Sequence, residues 1–412
     1  MDRNTPALFR SSRMRRTRTG IAVALAVSAA TVLSGCSGGS FGATTAESDD
    51  AGLSIGFIVP ATGPVSSIGL AMQAGFELGV EKVNAEGGVG GADIVFDAQD
   101  DGGDPASTTL IARRFAQDPA VDLLFGTVAG DAAAAVAPIA DESEIPFATA
   151  VYGDPSVCSV NWWPFGASNR QLLQLQVANL IAQYGPRIAF VGSDYNFPHD
   201  VAVAATEIIA ANGGELVAEE YSPLGTTDFS ATISRLAGSE PDAVLSYVVG
   251  SDAVTFAQQG QQFGLLTDEM GLEGAALDAD YYPAVADLVD GRQHVTRWAD
   301  GLEDDDSAAF VAAYRAKTDT TGPVPETAAI AYYAIQFIAA AANSADATTR
   351  EGLSAALADF SYDSPLGEGT HFESTGASNL FQADMFTYAI ADGAYTEAAA
   401  NGLVDDQGVS CR

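Results

Sequence analysis

The residues best suited to chemistry lie in a short stretch, 190–200, which reads Phe-Val-Gly-Ser-Asp-Tyr-Asn-Phe-Pro-His-Asp. Gly192 lets the backbone approach a bound molecule, Tyr195 offers an aromatic wall and Asp194 offers a polar group. An apolar strand precedes the stretch, and Pro198 opens a predicted helix. Such strand–loop–helix corners line ligand crevices in open α/β sheets. An ordinary turn with a Ser/Asp helix cap is the alternative interpretation.

No catalytic constellation accompanies these residues in the sequence. None of its three histidines, His199, His294 and His371, stands beside a nucleophile signature such as Gly-x-Ser-x-Gly. No group of His, Cys, Asp or Glu residues has the spacing of a metal site. The sequence therefore predicts that the protein is not an enzyme, and that it has neither a cofactor nor a metal ion.

The composition is that of a large, acidic chain. Its 412 residues are 47% hydrophobic, which predicts two or more compact units with sizeable cores. The formal net charge is −36, and the acidic residues are spread along the chain. Because nucleic acid and anionic membrane surfaces bind basic patches, neither is expected as a partner.

The N-terminus carries the pattern of an export signal. Six arginines precede residue 20, an apolar run covers 21–33, and the run ends in Leu-Ser-Gly-Cys at Cys36. This ending resembles a bacterial lipobox, which implies removal of a signal peptide, 1–35, and lipid on Cys36. The alternative is a plain signal peptide with an incidental cysteine. Residues 36–51 are then a flexible tether, and the expected location is the cell membrane, lipid-anchored on the extracytoplasmic side.

Two cysteines remain if Cys36 is acylated. Cys158 and Cys411 form an even pair in an exported chain, which permits one disulfide. Two unpaired thiols are the alternative. We expect the Cys158–Cys411 bridge.

From residue 52 onward, short apolar strands alternate with helices, and the same alternation begins again at Gln171. Alternation at this spacing predicts a parallel, doubly wound sheet in each half of the chain. The Ala-rich stretch 328–342 contains two tyrosines and a glutamine, which is typical of a buried helix. The predicted fold class is α/β, with two similar lobes and a ligand cleft between them.

Several ordered blocks resemble one protein family. They are Ile55-Gly56-Phe57 followed by Gly63-Pro64, Val-Asn-Ala-Glu-Gly-Gly-Val at 83–89, and Asp-Asp-Gly-Gly-Asp-Pro at 100–105. Together they resemble the substrate-binding lipoproteins of ABC importers, the type I periplasmic binding proteins for branched-chain amino acids, amides and urea. The resemblance covers nearly all of 52–400. Gly-Ser-Asp-Tyr at 192–195 and the block 220–229 are most similar to the short-chain amide and urea binders.

The resemblance implies three hinge crossovers between the lobes, near 166–170, 295–299 and 356–366. The corresponding boundaries are 52–168 plus 298–358 for lobe 1, 169–297 plus 359–402 for lobe 2, and 403–412 for a C-terminal tail. It also implies hinge closure over a small-molecule ligand and delivery of that ligand to a permease in the cytoplasmic membrane.

The resemblance also implies which residues contact the ligand. They are expected in the loops that follow strands of both lobes: Thr127, Val128, Ala129, Gly130, Thr149, Ala150 and Tyr152 in lobe 1, and Asp194, Tyr195, Asp252 and Asp278 in lobe 2. Backbone N–H groups at the helix that follows 126–130 suit an oxygen-bearing or anionic group. Asp252 and Asp278 suit an amine or amide N–H, although helix capping is an equal alternative for both.

This chain departs from the amide binders at one loop. Val128 and Gly130 stand where those proteins tend to place a Tyr and a Ser, which puts urea in doubt and leaves a larger or more apolar ligand open. An amino acid ligand, and a sensor lipoprotein that reports to a signalling partner, remain the alternative functions.

Overall fold

The computed structural model describes residues 52–153, 157–374 and 376–406, all within one compact unit, 40–412. The signal peptide, the tether, Cys36 and Cys411 lie outside these residues. The α-helices of the described part are α1 (Ser66–Ala85), α2 (Pro105–Gln117), α3 (Gly130–Glu142), α4 (Asn169–Gln183), α5 (Asn196–Ala211), α6 (Ser230–Gly238), α7 (Ser251–Gln262), α8 (Tyr282–Val289), α9 (Asp305–Thr318), α10 (Glu326–Ala345) and α11 (Arg350–Asp359).

The strands alternate with these helices as far as β10 and then follow one another. They are β1 (Leu53–Val59), β2 (Ile94–Asp100), β3 (Leu123–Gly126), β4 (Phe147–Thr149), β5 (Trp162–Pro164), β6 (Arg187–Ser193), β7 (Glu215–Ser222), β8 (Ala243–Tyr247), β9 (Gly271–Gly274), β10 (Gln293–Thr296), β11 (Ser361–Ser364), β12 (Gly367–Ser374), β13 (Asn379–Gln382), β14 (Asp384–Ala391) and β15 (Ala394–Leu403).

Lobe 1 is built on a parallel sheet in the order β2-β1-β3-β4-β5. Its central strand β1 is apolar along its length, as expected for a strand covered on both faces. Helices α1 and α10 pack closely on this sheet, because Gly75 of α1 lies against the Ala328 carbonyl of α10. A Cβ at Gly75 would stand 1.9 Å from that oxygen.

Lobe 2 repeats the plan with a parallel sheet in the order β7-β6-β8-β9. Strands β6, β8 and β9 are largely buried, the edge strand β7 is half-exposed, and helices α5 to α7 connect them. The predicted α/β class with two doubly wound lobes is confirmed. The predicted buried helix 328–342 is also confirmed: α10 is long and apolar enough to cross a membrane, yet 78% of its most apolar window is buried in the core.

Two small antiparallel sheets complete the lobes. The sheet β10-β14-β15 shares the core of lobe 2, where Phe386, Tyr388 and Tyr395 pack. The sheet β11-β12-β13 shares the core of lobe 1 through Phe372 and Phe381. Residues 359–402 were expected in lobe 2, whereas 361–382 packs with lobe 1. The final crossing of the chain therefore lies between β13 and β14 and not near 356–366.

One buried side chain joins the three crossings. The Arg297 guanidinium donates to the Phe165 carbonyl, the Gln171 side-chain oxygen and the Phe381 carbonyl, each at 2.8 Å. These partners belong to the passage from β5 to α4 and to the end of β13, while Arg297 itself follows β10. Arg297 is fully buried. It therefore fixes the three inter-lobe segments relative to one another.

Cys158 lies in the loop before β5 and is disulfide-bonded. Its predicted partner, Cys411, lies outside the described residues, so the pairing remains a prediction. Val404 and Asp405, in the predicted C-terminal tail, accept hydrogen bonds from Gln171 and Gln174 of α4.

Candidate functional site

A cavity of about 80 Å³ lies between the lobes, at the carboxyl ends of the parallel strands. This is where open α/β sheets bind small molecules. Loops from both lobes line it, together with the first turns of α10.

The lobe 1 wall is made of two loops with small or apolar side chains. Val128, Ala129 and Gly130 follow β3, and Ala150 and Tyr152 follow β4. The turn after β3 uses left-handed backbone at Gly126, with φ of 112°, where a Cβ would stand 2.0 Å from the Ile58 carbonyl. Only a glycine fits there, and the turn carries the next residues onto the cavity wall.

The lobe 2 wall carries most of the charge. A 3-10 turn, Ala275–Leu277, follows β9 and is followed on the cavity wall by Asp278, Asp280 and Tyr281. Strand β10 adds His294, and the corner between β6 and α5 adds Tyr195 and Phe197. Glu326, the first residue of α10, closes the acidic side.

A chain of buried ionic contacts supports this wall. His294 contacts Glu273 through Nδ1 at 3.0 Å and Asp278 through Nε2 at 3.3 Å. Burial opposes the imidazolium, but the two carboxylates outweigh it and raise the pKa of His294 to about 10. His294 is therefore charged at neutral pH, and it fixes the position of Asp278.

Two further carboxyl groups hold their protons more tightly than usual. Burial, assisted by the nearby charge of Asp278, raises the pKa of Asp280 to about 7. Burial also raises the pKa of Glu326, although its carboxylate accepts the Arg297 backbone N–H at 2.7 Å. Both groups meet a low-dielectric surrounding that disfavours negative charge.

The two walls touch across the cleft. The Tyr152 hydroxyl of lobe 1 donates to Asp278 of lobe 2 at 3.1 Å. Val65 of lobe 1 packs with Val249 and Ala275 of lobe 2. Gly130 also faces lobe 2, since a Cβ there would stand 3.3 Å from the Phe197 Cβ. The lobes are closed over the cavity.

Seven of the eleven predicted contact residues line this cavity: Val128, Ala129, Gly130, Ala150, Tyr152, Tyr195 and Asp278. The other four lie elsewhere, for physical reasons. Thr127 has φ of 62° and is fully buried behind the loop, where its N–H donates to Ile58. The buried Thr149 hydroxyl accepts from the Trp162 indole.

The two remaining predicted contacts, Asp194 and Asp252, serve local structure. Asp194 is exposed and pairs with His199 at 2.9 Å. Asp252 lies in the first turn of α7, where its carboxylate accepts the N–H groups of Gly225 and Thr226. It holds the 223–226 loop and does not cap α7, whose N-cap residue is Gly250.

Sequence reasoning missed the residues that complete the site, namely Asp280, Tyr281, His294, Thr296, Trp298 and Glu326. The Asp-Ala-Asp pattern at 278–280 was the one local signal available. The others come from segments that only the crossings of the chain bring to the cleft. Among the described residues, no group of His, Cys, Asp or Glu side chains is arranged to hold a metal ion.

Comparisons with known proteins agree with this architecture. A family model described as "Periplasmic binding protein" matches residues 52–394. The Leu/Ile/Val-binding protein homolog 7 of Brucella suis is 27% identical over 235 residues, which are 54% of this chain and 58% of that protein. The chain thus spans less than two thirds of that relative. The Leu/Ile/Val-binding protein BraC3 of Rhizobium johnstonii is 26% identical over 75% of this chain and 84% of its own length.

Solved structures show the same fold. An ABC transporter solute-binding protein from R. palustris in complex with benzoate has a TM-score of 0.76 and 23% identity, and the match covers 86% of this chain and 98% of that one. The branched-chain amino acid binding protein LivJ of Streptococcus pneumoniae in complex with isoleucine has a TM-score of 0.72 and 20% identity, with 85% and 99% covered. The family model, with the two-lobed fold and its inter-lobe cavity, shows that this chain belongs to the periplasmic binding protein family.

Proposed function

We propose that the protein is the extracytoplasmic solute-binding component of an ABC importer, lipid-anchored through Cys36. It captures a small polar ligand of the amide, urea or amino acid type and delivers it to the permease. The observation that carries this proposal is the cavity enclosed by both lobes, with Tyr152 of one lobe hydrogen-bonded to Asp278 of the other. A ligand between the walls adds contacts that only the closed form provides, which is how differential binding drives closure.

The proposed contacts divide between the walls. Ala129 and Gly130 lie at the N-terminal end of α3, where backbone N–H groups suit a carbonyl oxygen of the ligand. The carboxylates of Asp278 and Asp280 suit its N–H groups. Tyr195 and Phe197 supply aromatic surface for its apolar part. The names of the relatives, which refer to leucine, isoleucine and valine, support the amino acid class among these three.

A thermal-shift screen of the purified protein tests the proposal, using amides, urea, ureido compounds, amino acids, amines and short peptides. A ligand that binds only the folded state stabilises it by about 2.7 kcal/mol at a hundredfold excess over Kd, so at least one class is expected to raise the Tm. Dependence of cellular uptake of that compound on this protein then tests transport. If no compound of the panel raises the Tm, or if cellular uptake does not depend on this protein, the proposal is contradicted.

A matched pair of glycine variants adds a structural control. Gly130→Leu adds a side chain toward Phe197 and holds the lobes apart, so it is expected to abolish the ligand-induced shift. Gly238 is an exposed helical glycine with nothing within 4 Å of an added Cβ. Gly238→Leu should therefore leave the shift intact.

A further inference from the structure

We propose that the ligand is a small organic cation, a protonated amine, whose charged nitrogen is held by Asp280 together with Asp278 and Glu326. The inference rests on solute capture as proposed above and changes the ligand class: the ligand keeps the amine of an amino acid but does not need its carboxylate. Three carboxylates line this one cavity, and no lysine or arginine side chain lines it. Among the described residues, no ion pair involves Asp280 or Glu326.

The charges around the cavity do not balance without such a ligand. Among the residues that the structure describes, His294 is the one cation on the wall, and because Glu273 and Asp278 share it, it neutralises only one of them. Arg297 lies behind the wall, and its guanidinium is directed at two carbonyls and an amide oxygen. Above its pKa of about 7, the half-buried Asp280 therefore faces the cavity without a compensating positive charge, and charges removed from water in proteins are normally paired.

An independent feature of the same wall also indicates a ligand. Thr296 lines the cavity, is 2% exposed, and its hydroxyl interacts with the Glu326 carboxylate, although this contact falls short of a regular hydrogen bond. Leaving a buried polar group unsatisfied is costly, and such groups in native structures call for an explanation. A ligand nitrogen between Glu326 and Asp280 would supply a donor to this hydroxyl.

The opposite wall is poorly suited to a carboxylate. The hydroxyls of Thr127 and Thr149 lie behind it and do not line the cavity. Asp131 occupies the first turn of α3, and its carboxylate accepts the Ala132 N–H at 2.9 Å, so a negative charge already stands at that helix terminus. An anionic ligand group would meet repulsion there rather than an open anion site.

The rest of the cavity surface suits the apolar part of an amine. Tyr195, Phe197 and Trp298 present aromatic faces, and an ammonium group over such a face gains cation–π attraction. Val65 and Ile330 provide apolar contacts. The site thus combines acidic groups, aromatic rings and aliphatic side chains around a cation with an apolar body.

Isothermal titration with compounds of matched shape tests the inference. Isoamylamine, isovaleramide and isovalerate share one aliphatic body and differ in a cationic, neutral or anionic head. Leucine adds a carboxylate to the amine, and phenethylamine varies the body. We expect at least one amine to bind, at least tenfold more tightly than the amide and the anion, with no gain from the carboxylate of leucine.

Charge variants accompany the titration. At pH 8, Asp280→Asn should weaken amine binding at least tenfold and raise the Tm of the ligand-free protein, because it removes a half-buried carboxylate that no positive charge compensates. Asp287→Asn changes an exposed acid of α8 in the same lobe and should alter neither quantity. Loss of amine binding without the rise in Tm would count against the charge argument.

The possible failures are distinguishable. If isovaleramide or isovalerate binds as tightly as the amines, the cation is rejected while solute capture stands. If none of the five compounds binds, the cation is also rejected, and the uptake experiment decides the proposed function by itself.

Discussion

The two walls of the cavity are built on the same plan and differ in chemistry. Both are loops that follow parallel strands, but the lobe 1 wall offers Val128, Ala129 and Ala150, whereas the lobe 2 wall offers Asp278 and Asp280. The loops of the first wall provide shape and closure, and the second wall provides two of the three carboxylates, the third being Glu326 of α10 in lobe 1. This division indicates that solute selection by charge is decided mainly in lobe 2.

The difference has a backbone origin. In lobe 1 the turn after β3 has positive φ at both Gly126 and Thr127, which buries the threonine hydroxyl and leaves small residues on the wall. In lobe 2 the 3-10 turn after β9 continues into 278–281, and two acidic side chains reach the cavity. Loops at equivalent places in the two sheets thus present different side chains to the cavity, because their turns differ.

The largest effect is expected from removing the Arg297 side chain, which links the three inter-lobe segments and so holds the two walls opposite each other. Arg297→Met leaves two buried carbonyls and the Gln171 oxygen without their donor. We expect the free energy of unfolding to fall by about 3–5 kcal/mol, as for other broken buried polar clusters. Chemical denaturation followed by fluorescence and circular dichroism measures it.

Two controls accompany this variant. Arg297→Lys keeps the charge but cannot reach three acceptors, so it should recover only part of the loss. Arg235→Met removes an exposed arginine paired with Glu220 and should have no measurable effect. Wild-type stability of Arg297→Met would contradict the role assigned to this residue.

Changing one residue in each wall tests whether the two walls contribute differently to binding. Asp278→Asn should weaken binding of the captured solute about 10- to 100-fold, as expected when a hydrogen bond to a charged group is lost. Val128→Thr, which keeps the shape of lobe 1, should change it less than about fivefold. Titration calorimetry measures both, and equal losses would contradict the division of roles.

The pH dependence of binding gives a smaller, graded effect. Asp280 has a pKa of about 7, and it lies near Asp278, Glu326, Tyr281 and the charged His294. A cation needs the ionised carboxylate, so amine affinity should rise up to about tenfold from pH 6 to pH 8. Asp280→Asn should flatten this profile, and affinity that falls with rising pH would contradict the assignment.

The same pKa shifts also predict how the stability of the ligand-free protein depends on pH. The folded-state pKa of Asp280 is raised above its ordinary value of 3.8, so folding favours its protonated form. This contribution is present at low pH and is lost as the pH rises from about 4 to 7. The pKa of His294 is likewise raised, from 6.5 to about 10, so its contribution is present below pH 6.5 and is lost progressively as the pH rises from about 6.5 to 10.

Periodicity and turn residues were sufficient to predict the lobes, because both parallel sheets are formed by local strand–helix alternation. They did not predict that Phe372 and Phe381 return to lobe 1, since that depends on packing against Trp163 and Phe165 far away in the chain. Short strands such as β5 were missed for the same reason.

The site was predictable where a contact follows a strand directly, as for Val128 and Tyr152. The direction of the Thr127 side chain was not predictable, because it depends on one backbone dihedral angle. The position of Glu326 was not predictable either, because a crossing of the chain between the lobes brings it to the cavity. A sequence alone does not distinguish an aspartate that holds a neighbouring loop, such as Asp252, from one that lines the cavity, such as Asp278.

Small-angle scattering of the purified protein, with and without its tightest-binding compound, tests the central claim most directly. If the solute is held between an apolar wall and an acidic wall that close on it, the radius of gyration should decrease on binding, and Gly130→Leu should keep the larger value throughout. A bound solute that leaves the radius of gyration of the wild-type protein unchanged would contradict capture between the lobes.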